Sequence, residues 1–213
     1  QMKATGEVMG ISNSFESALL KAMTSLEGRH DSLRIEGWEK LSIEELVEKV
    51  LLCDDERIYA LTELLRKNVS VQSLNEKTGI DPWFLNGLKN ITDMEKRLAT
   101  EDLDSGLLLA SEAMGFTDNE ILKLSRIPRE ALQDIRIYHD VFPVYKMVDT
   151  CAGEFEAVTP YYYSCYARED ECRITDKKKI LVVGSGPIRI GQGIEFDYCC
   201  VHGVWAIRDA GYE

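Results

Sequence analysis

The chain has 213 residues, 45% of them hydrophobic and 29% charged, which is long enough to bury a sizeable core and lies outside disordered or collagen-like composition. Its net charge of -12 opposes other polyanions, so neither nucleic acid nor an anionic membrane surface is expected as a partner. No apolar run reaches the roughly 18 to 20 residues of a membrane span, and the N-terminus carries no signal-peptide pattern. The six cysteines, Cys53, Cys151, Cys165, Cys172, Cys199 and Cys200, form no C-x-x-C pair and have no His pair at zinc spacing. Reduced thiols in a cytoplasmic protein without a metal site are therefore expected.

Residue 1 is glutamine, and Gln1 to Met9 reads as the interior of a fold already under way. Ser14 caps a helix predicted to run to about Leu26, with Leu19, Ala22, Met23 and Leu26 on one face and Gly28 closing it. That face is expected to pack on a domain preceding residue 1. The stretch from Arg29 to Lys40 has no steady period and reads as a connection. Ser42 and Glu45 form a capping box ahead of Ile43, Val47, Val50 and Leu51. The acidic run Asp54-Asp55-Glu56 then opens a further helix, where carboxylates favour the positive end of the helix dipole. Asp81-Pro82 starts the helix that carries Trp83, Phe84, Leu88 and Ile91. Gly115 closes the helix before the next capping box, Thr117 and Glu120.

Short helices following one another without strands predict a compact all-helical domain from about residue 42 to 138. Within it Ser70, Leu74, Thr78, Ile80 and Leu85 correspond in order and spacing to Thr117, Ile121, Ser125, Ile127 and Leu132, a degenerate repeat of helix, tight turn, helix. That layout admits an alternative reading as an acidic helix-turn-helix interaction or DNA-binding module. The second helices begin with Asp81-Pro82-Trp83-Phe84 and Pro128-Arg129-Glu130, which offer few cations to phosphates and few donors to base edges. Trp38, Tyr59, Trp83 and Phe84 are candidates either for the core or for contact with another subunit. With no convergent His, Ser or Cys constellation, a packing or assembly module is the expectation.

Lys179 to Val183 is a short β-branched run suited to a buried parallel strand, followed by a glycine loop and an apolar helix ending near Gly211. This is half of a βαβ unit, so the natural protein is expected to continue beyond residue 213. In Gly184-Ser185-Gly186-Pro187-Ile188-Arg189-Ile190-Gly191-Gln192-Gly193, Arg189 occupies the third-glycine position of a dinucleotide fingerprint, and Pro187 removes an amide from such a cradle. No Lys-Ser or Lys-Thr pair follows the last glycine as a P-loop requires. Glu195 and Asp197 are read as caps or partners of Arg189. Cys199 and Cys200 lie near His202, but sequence neighbours do not face one another on a helix.

The segment GSGPIRIGQGIEFDYCCVH resembles the opening of the second synthetase half of the carbamoyl phosphate synthetase large chain. QMKATGEVMGI resembles the end of its first ATP-grasp domain, and HDVFPVYKMVDTCAGEF the segment that closes its oligomerisation domain. From Glu36 to Ile137 the resemblance rests on helical layout and on IDPWFL. It implies a mainly α chain with four parts: residues 1–30, the tail of the first ATP-grasp domain; 31–148, the helical oligomerisation domain; 149–177, a connecting segment; and 178–213, the start of a pre-ATP-grasp α/β unit. In that family carbamoyl phosphate is made from glutamine-derived ammonia, bicarbonate and ATP for arginine and pyrimidine biosynthesis. ATP and Mg or Mn are the cofactors, and a small glutamine amidotransferase chain is a partner. The resemblance places Arg189 and Gly193 in the wall of a tunnel between the two active sites. It leaves these residues with no catalytic, cofactor or metal site of their own. The expected roles are self-association and linkage to the remaining domains, and the isolated chain is expected to be inactive.

Overall fold

The computed structural model describes residues 8–26, 33–151, 153–156, 158–159, 161–184 and 194–213. Nine α-helices occur among them: α1 (Phe15–Thr24), α2 (Ile43–Leu52), α3 (Arg57–Arg66), α4 (Val71–Thr78), α5 (Pro82–Thr100), α6 (Ser105–Met114), α7 (Asp118–Ser125), α8 (Arg129–Tyr138) and α9 (Ile194–Asp209). One antiparallel pair, β1 (Val144–Met147) and β2 (Tyr162–Cys165), follows α8. The chain is mainly α.

The helix starts are set by local chemistry. Glu45 N–H donates to Ser42 Oγ at 3.1 Å while the Glu45 carboxylate accepts from Ser42 N–H at 2.7 Å, and Thr117 and Glu120 repeat that exchange. Asp81 accepts from Trp83 N–H at 2.8 Å with Pro82 in the first turn. Each cap supplies a partner for an amide that the helix itself leaves unpaired.

The nineteen-residue α5 is the spine of the body. Its inward stripe, Leu85, Leu88, Ile91, Met94 and Leu98, is buried at helical spacing and joins Leu46, Val50, Leu61, Leu64, Leu74, Leu108, Ile121 and Leu132 in one cluster. Leu33 is also fully buried, its carbonyl held by Thr62 Oγ1 at 3.0 Å and Arg66 Nη2 at 2.8 Å. The connection before α2 is thus anchored at that point.

The helix-turn-helix correspondence holds at atomic detail and extends by one helix. Thr78 Oγ1 donates to Leu74 O and Ser125 Oγ to Ile121 O, each at 2.7 Å. The residues that follow, Gly79 and Arg126, both take the left-handed conformation, at φ 71° and 59°. Leu85 and Leu132 are both fully buried. One helix earlier, Val69 N–H donates to Leu64 O just as Phe116 N–H donates to Ser111 O, around left-handed Asn68 and Gly115. α3-α4-α5 and α6-α7-α8 are therefore two copies of one three-helix unit, each with its first helix closed by the same Schellman motif.

α1 differs from expectation. Its apolar face is already occupied by this chain: Leu20 and Met23 enter the common core, and the helix seats on α5 and α6. Two glycines make the seat. A Cβ at Gly87 of α5 would fall 2.4 Å from the Phe15 ring, and one at Gly115 would fall 3.1 Å from Ser17 Cα.

The expected parallel strand also differs. Residues 179–183 are not in a strand, and Leu181 and Val183 are almost fully exposed. One element of the parallel pattern is present: Glu213 N–H donates to Lys178 O at 2.9 Å and Glu213 O accepts from Ile180 N–H at 2.8 Å, on either side of Lys179. Among the described residues this stretch has no second strand to pair with, and a parallel strand takes most of its stability from neighbours on both edges.

Candidate assembly face and ionic nodes

Trp83 and Phe84 stand at the first turn of α5, directed outward because Leu85 and Leu88 take the inward positions. With Phe15 of α1 they form a three-ring cluster with centroids 4.9 to 5.6 Å apart at tilted or edge-on angles, the arrangement that aromatic quadrupoles favour. Even so, Trp83 remains 61% exposed and Phe84 47%. The duplicated unit supplies an internal comparison. The positions corresponding to Trp83 and Phe84 in α8 are Glu130, which is exposed, and Ala131, with exposed Arg129 at the place of Pro82. The fold itself does not require aromatic residues there.

The other aromatic candidates are placed differently. Tyr59 is buried in the core of α3, and burial followed by the nearby Asp55 and Glu56 raises its phenol pKa. Trp38 is half-buried against the core, with Lys49 Nζ 4.3 Å from its ring centre. Of the four aromatics named from sequence, Trp83 and Phe84 are the exposed pair, and Phe15, which completes their cluster, was not singled out. Its signal was its place immediately after the Ser14 cap, an aromatic in a first turn as Trp83 is.

Two half-buried arginines tie the helices together. Arg66 of α3 donates through Nε and Nη2 to Glu95 of α5 at 2.7 and 2.9 Å, and through Nη1 to Glu63 at 2.9 Å. Arg34, from the connection before α2, also pairs with Glu95. Burial alone would lower the Arg66 pKa, but the two carboxylates outweigh it and hold the guanidinium above its usual value. In the second unit Arg136 of α8 pairs with Asp118 of α7 at 2.8 Å and with Glu112 of α6. Burial pushes the Glu112 carboxyl up against the pull of Arg136, whereas the Arg136 hydrogen bond holds Asp118 down. Tyr166, just after β2, lies beside Glu112, and burial and that carboxyl push its phenol up to about 12.

Arg189 and Gly193 lie outside the described residues, as does any contact of Arg189 with Glu195 or Asp197. His202 of α9 packs at a tilted angle on Tyr198 and edge-on against Trp205, at ring separations of 4.1 and 4.9 Å. Among the described residues no three His, Cys, Asp or Glu side chains are grouped to hold a metal ion, and no helix is long and apolar enough to cross a membrane. In the helix-turn-helix units the second helices face inward with Leu85 and Leu132, and the exposed Arg129 is taken up by Asn119 and Asp118.

The described residues form a helical body with an exposed aromatic cluster, followed by an antiparallel strand pair and the helix α9. Residues 7–140 match the family model described as the carbamoyl-phosphate synthetase large chain, oligomerisation domain, and residues 176–213 match the carbamoyl phosphate synthase preATP-grasp domain. The chain belongs to the carbamoyl phosphate synthetase large-chain family. It is 56% identical over 216 aligned residues to the carbamoyl phosphate synthase large chain of Clostridium acetobutylicum. It is 49% identical to that of Thermoanaerobacter pseudethanolicus and 46% to that of Caldanaerobacter subterraneus subsp. tengcongensis, over 213 residues each. In all three comparisons the whole of this chain is covered, and it spans 20% of the relative's length.

Proposed function

We propose that this chain is the assembly and linker region of a carbamoyl phosphate synthetase large chain, and that it associates with a second copy of itself through the face built by Phe15, Trp83 and Phe84. The observation that carries this reading is the exposed pair Trp83 and Phe84 at a position that the duplicated unit fills with Glu130 and Ala131. Rigid aromatic side chains lose little entropy on binding and dominate interface energetics.

The parent enzyme in this reading is a ligase of the cytoplasm. It makes carbamoyl phosphate for arginine and pyrimidine biosynthesis from bicarbonate, ATP and the ammonia released by a small glutamine amidotransferase chain. ATP and Mg or Mn bind in parts of the parent outside these 213 residues, so this chain alone is inactive. Its work is to join the two synthetase halves and set their spacing. Residues 1–30 belong with the first ATP-grasp domain, 31–148 with the helical domain, 149–177 with the connection, and 178–213 with the second half. Arg189 and Gly193 take tunnel-wall positions, where a residue without a side chain keeps a passage open and a guanidinium offers donors to an anion.

Sedimentation of the purified chain across a concentration series, with an assay for product from ATP, bicarbonate and ammonium, tests the reading. The expected result is reversible association without turnover. A strict monomer, or measurable carbamoyl phosphate formation, contradicts it.

A further inference from the structure

The feature with no assigned role lies where the chain joins and leaves the helical body. Residues 8–13 fold back along α1, and Gly10 lies so close to it that a Cβ there would fall 2.2 Å from the Ala18 carbonyl oxygen. This approach brings the Ile11 carbonyl to Lys21, whose Nζ donates to it at 3.0 Å. The same ammonium donates to the Ser164 carbonyl of β2 and lies 5.3 Å from the centre of the Tyr163 ring. An ammonium has three N–H donors. Two go to carbonyls from opposite ends of the folded body, and its positive charge faces the negative face of an aromatic ring.

Lys21 is an unusual choice for this position. Its pKa is lowered by burial, so the ammonium is held here against its own solvation, and among the described residues it has no carboxylate partner within ion-pair distance. An unbranched apolar side chain of similar length would fill the same space without that penalty. What such a side chain would not do is bind two main-chain carbonyls at once. The hairpin needs the contact, because a two-stranded pair has little stability of its own. β1 is braced on its outer edge by Glu171, which donates its N–H to Tyr145 O and accepts from Met147 N–H, each at 2.8 Å. Beyond the hairpin, Tyr166 sits beside Glu112 at the Arg136 node.

We propose that Lys21 is a clasp closing the neck of the helical body: it fastens the chain arriving through Ile11 directly to the chain departing through Ser164. The two flanking segments are thereby held together at one point, and the helical body hangs from a closed loop rather than lying in series between them. A displacement on one side of the neck then reaches the other through Lys21, without passing through α3 to α8. This inference does not depend on the reading of the aromatic face.

Hydrogen exchange measured on the whole 213-residue chain, comparing wild type with Lys21→Met and Lys21→Arg, tests the proposal. Lys21→Met is expected to speed exchange in 144–147 and 162–165 by roughly tenfold or more, the change that one lost charge-assisted hydrogen bond produces, and to leave α3 to α8 at wild-type protection. Lys21→Arg, which keeps the charge and donors, is expected to restore most of the protection. Unchanged exchange in the hairpin of Lys21→Met overturns the clasp. So does an equal loss of protection across α3 to α8, which would make Lys21 an ordinary packing residue, and so does failure of arginine to do better than methionine. Tyr163→Ala, which leaves both carbonyls in place, is expected to produce a smaller effect of the same pattern, and a larger one would shift the role from the ammonium to the ring.

Discussion

Arg66 on α3 grips both carboxylate oxygens of Glu95 on α5 with Nε and Nη2, at 2.7 and 2.9 Å, and the pair is buried on both sides. Removing Arg66 leaves the buried Glu95 with only the partly exposed Arg34 to hold it and takes the arginine from Glu63. Arg66→Met is therefore expected to lower the unfolding free energy by about 3 to 5 kcal/mol, and Arg66→Met with Glu95→Met by much less. Urea titrations of the single and double variants check this. A double variant no more stable than Arg66→Met would contradict it.

The Arg136 node predicts opposing pH responses from two carboxyls. Asp118 has a depressed folded pKa, so its contribution is present above the unfolded carboxylate value and is lost as pH falls through the folded value. Glu112 has a raised folded pKa, so its contribution is complete below the unfolded value and is lost as pH rises through the folded one. Asp118→Asn should remove stability at neutral pH and flatten its loss in acid. Glu112→Gln should flatten the decline on the neutral side. Thermal denaturation between about pH 2 and pH 7, which reaches below the ordinary Asp value for the first slope and above the ordinary Glu value for the second, reads both.

Gly87 is predicted to tolerate no side chain while Phe15 stays in place, since an added methyl would enter the ring. Gly87→Ala is expected to destabilise the protein by about 1 to 3 kcal/mol through overpacking, although alanine is the better helix former. Combined with Phe15→Leu, the alanine should cost less than it does alone. Additive losses in that double-mutant cycle would show that the two residues do not meet.

The parts of the fold legible in the sequence were those decided within one turn of chain. The boxes at Ser42 and Thr117 and the Asp81-Pro82 start act on amides two or three residues away, so their residue types announce them. The repeat from Ser70 to Leu85 was legible for the same reason, and its extension to α3 and α6 was hidden because Asn68 and Gly115 share a backbone conformation rather than a residue type. The strands β1 and β2 were not foreseen: four residues each, with part of their stabilisation coming from Glu171 and Lys21, they carry little local signal. The reverse held at residues 179–183, where a strongly β-prone run has only the Glu213 bridge beside it among the described residues. At the candidate face, sequence named Trp83 and Phe84 but left them level with Tyr59 and Trp38, because periodicity in a short helix does not say which side a neighbouring helix will cover.

The most direct test of the account is the solution mass, by light scattering after size exclusion, of the wild-type chain beside a Trp83→Glu, Phe84→Glu variant across the same concentrations. These side chains are exposed, so the variant should fold and show wild-type helical circular dichroism. The wild type is expected to rise toward the dimer mass with concentration and the variant to stay at the monomer mass. A variant that associates as the wild type does would contradict the assignment of the interface to this face.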